Sequence, residues 1–228
     1  MAEFNQEAFD RFVEENGVYG FFDEPITLKS GRKSHFYANW RTVVEDVWLT
    51  EQLVAFVLAF VKDRGIGVDT FYGVPEGATK LGVLTQFHFA KTQPGYNKGS
   101  HVLAMGRAKP KEHGAPKDKY FVGMPKGRVV VLEDVTTTGG STMTTVKALK
   151  DAGVNVEAVI SLTNRMERRD DGLSVAEAFE QIGIPFYNMS TALTVLPRVY
   201  RSLSPGEDIA RAIEAEFAEY GVERLKLL

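Results

Sequence analysis

The run Val129-Val130-Val131-Leu132-Glu133-Asp134-Val135-Thr136-Thr137-Thr138-Gly139-Gly140-Ser141-Thr142 constrains this chain more than any other stretch. Its first four residues are continuously apolar and mostly β-branched, the pattern of a strand buried on both faces. Two carboxylates, Glu133 and Asp134, follow the apolar run, and a turn rich in hydroxyls and glycines comes next. Residues 144–150 then have helical composition, with Gly153 placed just past the helix end. A strand covered on both faces needs helices above and below it, so an α/β fold with a parallel sheet is expected. In the turn, Gly139 and Gly140 let backbone N–H groups approach a ligand closely. Thr137, Thr138 and Ser141 can donate hydroxyl hydrogen bonds, and the helix N-terminus favours an anion. Carboxylates one step earlier repel a bare phosphate but accept hydrogen bonds from vicinal hydroxyls, so the order suits a sugar phosphate. Taken singly, the same pieces also describe an ordinary strand–turn–helix with an acidic turn.

Composition narrows the class. A chain of 228 residues with 44% hydrophobic residues suits one α/β domain with a lid or a small appendage. Its 27 basic and 30 acidic residues leave a net charge of −3, which offers nucleic acid no basic face. The absence of cysteine excludes a disulfide scaffold, a thiol nucleophile and a thiolate metal site, and is compatible with a reducing cytosol. The N-terminus shows no basic segment followed by an apolar one, and the most apolar window, residues 53–61, is far short of a membrane span. A cytoplasmic protein that binds neither membrane nor nucleic acid is expected.

Along the chain, residues 5–15 place Phe9, Phe12 and Val13 on one helical face before Gly17. Ser30-Gly31 reads as a turn between two extended segments, with Lys29, Arg32 and Lys33 around it and the aromatic pair Phe36-Tyr37 beyond. Residues from 50 to about 64 read as an apolar helix. Strands are expected at 68–74, 101–105, 129–133, 156–162 and 184–189, alternating with helices, with the ligand at their carboxyl ends. Residues 1–45 would form a hood over the core of residues 46–228. Ser174-x-x-Glu177 reads as a capping box opening a helix, and Ser204-Pro205-Gly206-Glu207 as a second. Residues 106–119 are basic and rich in proline and glycine; such a long loop is either a functional lid or a solvated connection.

The run 129–142 resembles the 5-phosphoribosyl-1-pyrophosphate (PRPP) loop of type I phosphoribosyltransferases, in which an apolar strand, two acids and a T-x-G-x-T-like loop occur in that order. By that resemblance Glu133 and Asp134 hold the ribose hydroxyls, while Thr136, Thr137, Thr138, Gly139, Gly140 and Ser141 cradle the 5′-phosphate. Leu28-Lys29-Ser30-Gly31-Arg32-x-Ser34 and its aromatic pair resemble the N-terminal signature of orotate phosphoribosyltransferases, with His35 where the family often has proline. The resemblance implies that Lys29 reaches the pyrophosphate side of PRPP and that Phe36 and Tyr37 frame the orotate ring. Aligned on His113-Gly114, the basic loop is similar to that family's R-K-x-x-K-x-H-G catalytic loop. Lys111 then matches the loop lysine and Arg107 the leading arginine. Ala108 replaces the second basic residue, and Lys109 stands in for it at the next position. Arg165 matches the arginine of a D-R-x-E-R run that binds the orotate carboxylate, with Asn164 in the place of aspartate.

The resemblance also implies Mg²⁺ on the PRPP oxygens and a homodimer that shares the loop 106–124 between subunits. One departure stands at Pro75-Glu76-Gly77-Ala78, where relatives receive the pyrophosphate and this chain has a carboxylate. Glu76 points away, contacts metal, or is offset by Lys80 one turn on; the sequence leaves all three open. Two other readings remain at this level: a phosphoribosyltransferase for another base, and a non-catalytic PRPP-sensing regulator.

Overall fold

Strand β6 (Arg128–Thr136) lies at the centre of the protein, in a computed structural model that describes residues 3–107 and 120–228. It pairs in parallel with β3 (Thr70–Gly73) on one side and β7 (Asn155–Asn164) on the other, and β7 pairs in parallel with β8 (Phe186–Thr191), giving the order β3-β6-β7-β8. The continuous apolar run has the expected cause. Val129 and Val131 join a core layer with Val146 and Leu149 of helix α5 (Gly140–Asp151) and with Val175 and Phe179 of α6 (Val175–Glu180). Val130 and Leu132 join the opposite layer, built from α1 (Gln6–Glu15), α3 (Val47–Asp63), α7 (Ala192–Leu203) and α8 (Glu207–Tyr220). Alternate side chains thus enter different cores, and neither face can be polar.

The N-terminal segment is tied into the same core. Phe9 of α1, Phe36 and Trp40 belong to one cluster with Leu53 of α3 and Phe217 of α8. Strands β1 (Tyr19–Thr27) and β2 (Lys33–Ala38) form the expected antiparallel hairpin, and Gly31 at its tip takes a φ of 85° that suits glycine. A short helix α2 (Arg41–Val44) follows, and Asp46 caps α3 by accepting from Leu49 N at 2.8 Å. That cap starts the helix earlier than the apolar pattern alone suggests, since Val47 and Trp48 in its first turn are exposed.

Two expectations are corrected. Residues 101–105 do not add a strand to the sheet: β4 is only Met105–Gly106 and pairs antiparallel with β5 (Phe121–Val122) as a ribbon flanking residues 108–119. Ala104 is buried while Leu103 and Met105 are exposed, so this alternation belongs to a one-sided edge, not to a covered strand. Nor does Ser204 cap α8. It ends α7 in the left-handed region at φ 46°, and Gly206 holds the N-cap position of α8 without a side-chain bond. The other capping box forms as expected, Ser174 Oγ accepting from Glu177 N and Glu177 Oε2 accepting from Ser174 N.

Candidate active site

The turn after β6 becomes a donor-lined cradle because no side chain among the described residues caps the helix it opens. Gly139 stands at the N-cap of α5 with φ 71°, a left-handed conformation that costs glycine little, and has no side chain to cap the first turn. The N–H groups of that turn therefore face outward and lack intrahelical partners, which is the arrangement that receives an anion. The loop is braced from behind: Arg169 Nη1 donates to Thr138 O at 2.7 Å, and Arg165 N donates to Thr136 O at 2.9 Å.

This cradle forms one wall of an open cleft of about 880 Å³ at the carboxyl ends of the strands. Thr136, Thr137, Thr138, Gly139, Gly140 and Ser141 all line it, as does Thr142. The other walls carry Lys29 and Ser30 from the hairpin tip, Arg41 from α2, Pro75 and Glu76 after β3, and Arg107 and Tyr120 on either side of residues 108–119. The structure thus brings together Lys29, Arg107 and the loop 136–141. Lys109, Lys111 and His113 lie outside the described residues.

The acidic pair sits beneath the loop. Glu133 is only 4% exposed and accepts from Thr142 Oγ1 at 2.6 Å. Burial, reinforced by the neighbouring Asp134 carboxylate, pushes its pKa up to about 8. Asp134 is half-buried against Gly77, where a Cβ would collide with its carboxylate. Neither acid is part of the cleft wall, so contact with ribose hydroxyls requires the ligand to settle into the floor between Thr142 and Gly77.

The orotate residues expected from the sequence are placed differently. Phe36 is fully buried, stacked between Tyr19 and Phe217 at centroid distances of 6.3 and 6.0 Å. It is core, because β2 lies against α8 and turns that face inward. Tyr37 is half-buried and outside the cleft lining. Arg165 is 1% exposed and each of its three guanidinium nitrogens donates within the protein: Nε to Glu167 Oε1 at 2.7 Å, Nη1 to Phe36 O at 3.2 Å, and Nη2 to Ser34 Oγ at 2.9 Å. Its guanidinium also lies 3.8 Å from the centroid of the Phe36 ring. A buried cation must be paired, and Arg165 is paired with protein, so it is presented to no carboxylate from outside. Arg32 joins the same cluster through Glu167 at 3.0 Å, and Glu216 of α8 accepts from Ser34 Oγ and His35 N.

Lys80 does not offset Glu76: its ammonium donates to Val44 O at 3.4 Å, on the α2 side. Glu76, by contrast, is exposed in the cleft wall. Sequence reasoning missed Arg41, Thr142 and Arg169. Thr142 continues the hydroxyl run and was open to inclusion; Arg41 and Arg169 carry no local signal, since only tertiary packing brings them to the loop.

A comparison with protein-family models finds no match. Among curated relatives, an orotate phosphoribosyltransferase of Bradyrhizobium sp. strain BTAi1 is 37% identical over 169 residues, covering 71% of this chain and 82% of the relative. One of Chromobacterium violaceum is 30% identical over 226 residues, covering 98% of this chain and all of the relative. Among solved structures, the orotate phosphoribosyltransferase of Francisella tularensis superposes with a TM-score of 0.66 at 20% identity, covering 94% of this chain and 99% of that one, which supports the shared fold. With the donor-lined cradle after β6 and relatives of this identity matched over most of their length, the chain belongs to the orotate phosphoribosyltransferase family.

Proposed function

We propose that this protein transfers the 5-phosphoribosyl group of PRPP to orotate, giving orotidine 5′-monophosphate and pyrophosphate in pyrimidine nucleotide biosynthesis. The observation that carries this reading is the uncapped N-terminus of α5, set in a hydroxyl-lined cleft whose opposite walls bear Lys29, Arg41 and Arg107. A ring nitrogen of orotate, giving up its proton to solvent, forms a bond to C1′ as the bond from C1′ to the pyrophosphate oxygen breaks and its electron pair leaves with that oxygen. Negative charge grows on the departing oxygen, and the cations that line the cleft stabilise it. Family resemblance adds Lys111 and His113 from residues 108–119, which would close over that oxygen and exclude water.

Mg²⁺ belongs to the proposal. Among the described residues no group of three His, Cys, Asp or Glu side chains could hold a metal, but Mg²⁺ commonly uses one or two carboxylates together with substrate phosphates. Glu76 is the carboxylate in the cleft wall suited to that arrangement. Bound there, the ion would neutralise charge on the pyrophosphate oxygens.

A homodimer is supported by exposed apolar side chains beside the cleft: Leu84 and Phe87 on α4 (Thr79–Thr92), and Leu103, Met105, Tyr120 and Val122 on or beside the β4–β5 ribbon that packs against α4. Tyr120 also lines the cleft, so a second copy covering this face would bring residues 106–124 close to a neighbouring site. No helix among the described residues is long and apolar enough to cross a membrane, and action in the cytoplasm is proposed on the cysteine-free composition.

The test is the loss of orotate absorbance with purified protein, PRPP and Mg²⁺, run beside uracil, adenine, hypoxanthine and guanine. PRPP-dependent consumption of orotate alone is expected. Consumption of a purine instead moves the assignment to another base, and PRPP binding without turnover of any base favours a sensor.

A further inference from the structure

The cleft contains a cation that the family signatures do not account for. Arg41 opens α2 directly after Trp40, and Trp40 is locked: 1% exposed, stacked on Phe9 at 5.9 Å, with Nε1 donating to Thr163 Oγ1 of β7 at 2.9 Å. Asn39 Oδ1 accepts from Arg41 N at 3.2 Å, and Thr42 Oγ1 donates to Asn39 O at 3.1 Å, which pins the backbone on both sides. At the other end of α2, Val44 O accepts from Lys80 in the first turn of α4. That contact sets α2 beside the loop Pro75–Glu76–Gly77–Ala78, and Arg41 lines the cleft together with Pro75 and Glu76. The Arg41 side chain is exposed, and its guanidinium has no partner among the described residues.

We infer that Arg41 binds the pyrophosphate group of PRPP, supplying from the hood the positive charge that the Glu76 loop lacks. The inference rests on the function proposed above and deepens it. The 5′-phosphate is met by neutral donors at α5, whereas the pyrophosphate carries more charge and needs cations. The loop after β3 offers it a carboxylate, and Lys80 is turned away. A guanidinium can engage two phosphate oxygens at once, and a rigid backbone beneath it limits the entropy lost on binding. Glu76 and Arg41 then have complementary tasks on one wall, the acid toward a divalent cation and the arginine toward the anion it accompanies.

The test compares the wild type, Arg41→Gln and Arg41→Lys by calorimetric titration with three ligands in the presence of Mg²⁺: PRPP, inorganic pyrophosphate and orotidine 5′-monophosphate. Arg41→Gln is expected to weaken pyrophosphate and PRPP binding in parallel, each by about 10- to 100-fold, the range for losing charge-assisted hydrogen bonds. Orotidine 5′-monophosphate has a 5′-phosphate and a base but no pyrophosphate, so its affinity should stay within about twofold, which also shows that the variant is folded. Arg41→Lys keeps the charge without the fork and should fall between the two. Weakened orotidine 5′-monophosphate with pyrophosphate retained would overturn the inference and place Arg41 at the base carboxylate. Unchanged binding of all three, or equal loss of all three, would also overturn it. A wild type that binds neither PRPP nor pyrophosphate would refute the proposed function itself, before any variant is made.

Discussion

The carboxyl end of β6 opens onto the cleft through residues 136–142, whereas the end of its neighbour β7 runs into Arg165 and Glu167 beneath the β1–β2 hairpin. Both strand ends carry groups suited to anions, and the family resemblance assigns both to ligand. What separates them is cover. Among the described residues the β6 turn stays open to the cleft, and its neutral donors, held by backbone geometry, are free to meet a ligand. The β7 end is sealed by Ser34, Phe36 and Glu216, and in that dry setting every charge has to find a partner within the chain. A binding motif and a structural clamp therefore look alike in sequence, and the element that lands on top decides between them.

The comparison breaks most visibly at Arg165. Arg165→Ala removes the guanidinium 2.7 Å from buried Glu167, leaving Arg32 as that carboxylate's remaining cation, and should cost about 1.5–3 kcal/mol of stability, read by denaturant unfolding. Unchanged stability with a raised KM for orotate would mean that Arg165 does reach the substrate and the clamp reading is wrong.

The second test is pH. The Glu133 carboxyl has its pKa raised from the usual 4.5 to about 8, first by burial and then by Asp134. A raised acid favours the folded state while protonated, so its contribution is complete below pH 4.5 and fades as pH rises through 8. Unliganded protein should lose stability over that window, and Glu133→Gln should flatten the profile. An equally steep profile in the variant would place the titrating group elsewhere.

Smaller effects sharpen the β6 side. Gly139→Ala forces a side chain into φ 71° against Val175 and should cost about 1–2 kcal/mol, with weaker PRPP binding because the cradle shifts. Ser174→Ala removes the cap of α6, which lines no part of the cleft, and should cost about 1 kcal/mol without changing PRPP affinity. A drop in affinity there would show that α6 is coupled to the cradle it packs behind.

Much of the architecture was legible because it follows from local rules. Residues 129–132 require cover on both faces, hydroxyls and glycines before a helix make an anion turn, Ser174 and Glu177 cap, and Gly31 turns the hairpin. None of these depends on distant residues. The two-sided parallel sheet and six consecutive cleft residues, Thr136 to Ser141, follow from them. The tertiary structure alone decided what each strand end faces. It buried Phe36 against Phe217 of α8 and Arg165 beneath a hairpin more than a hundred residues away in sequence, placed Glu133 beneath Thr142, turned residues 101–105 out of the sheet, and carried Arg41 from the N-terminal segment to the cleft wall. Local sequence specifies conformation and chemical type. Whether a charged group ends in water, against a ligand or within the core depends on long-range packing, and the desolvation that packing imposes determines which charges must pair inside the protein and which remain available to bind.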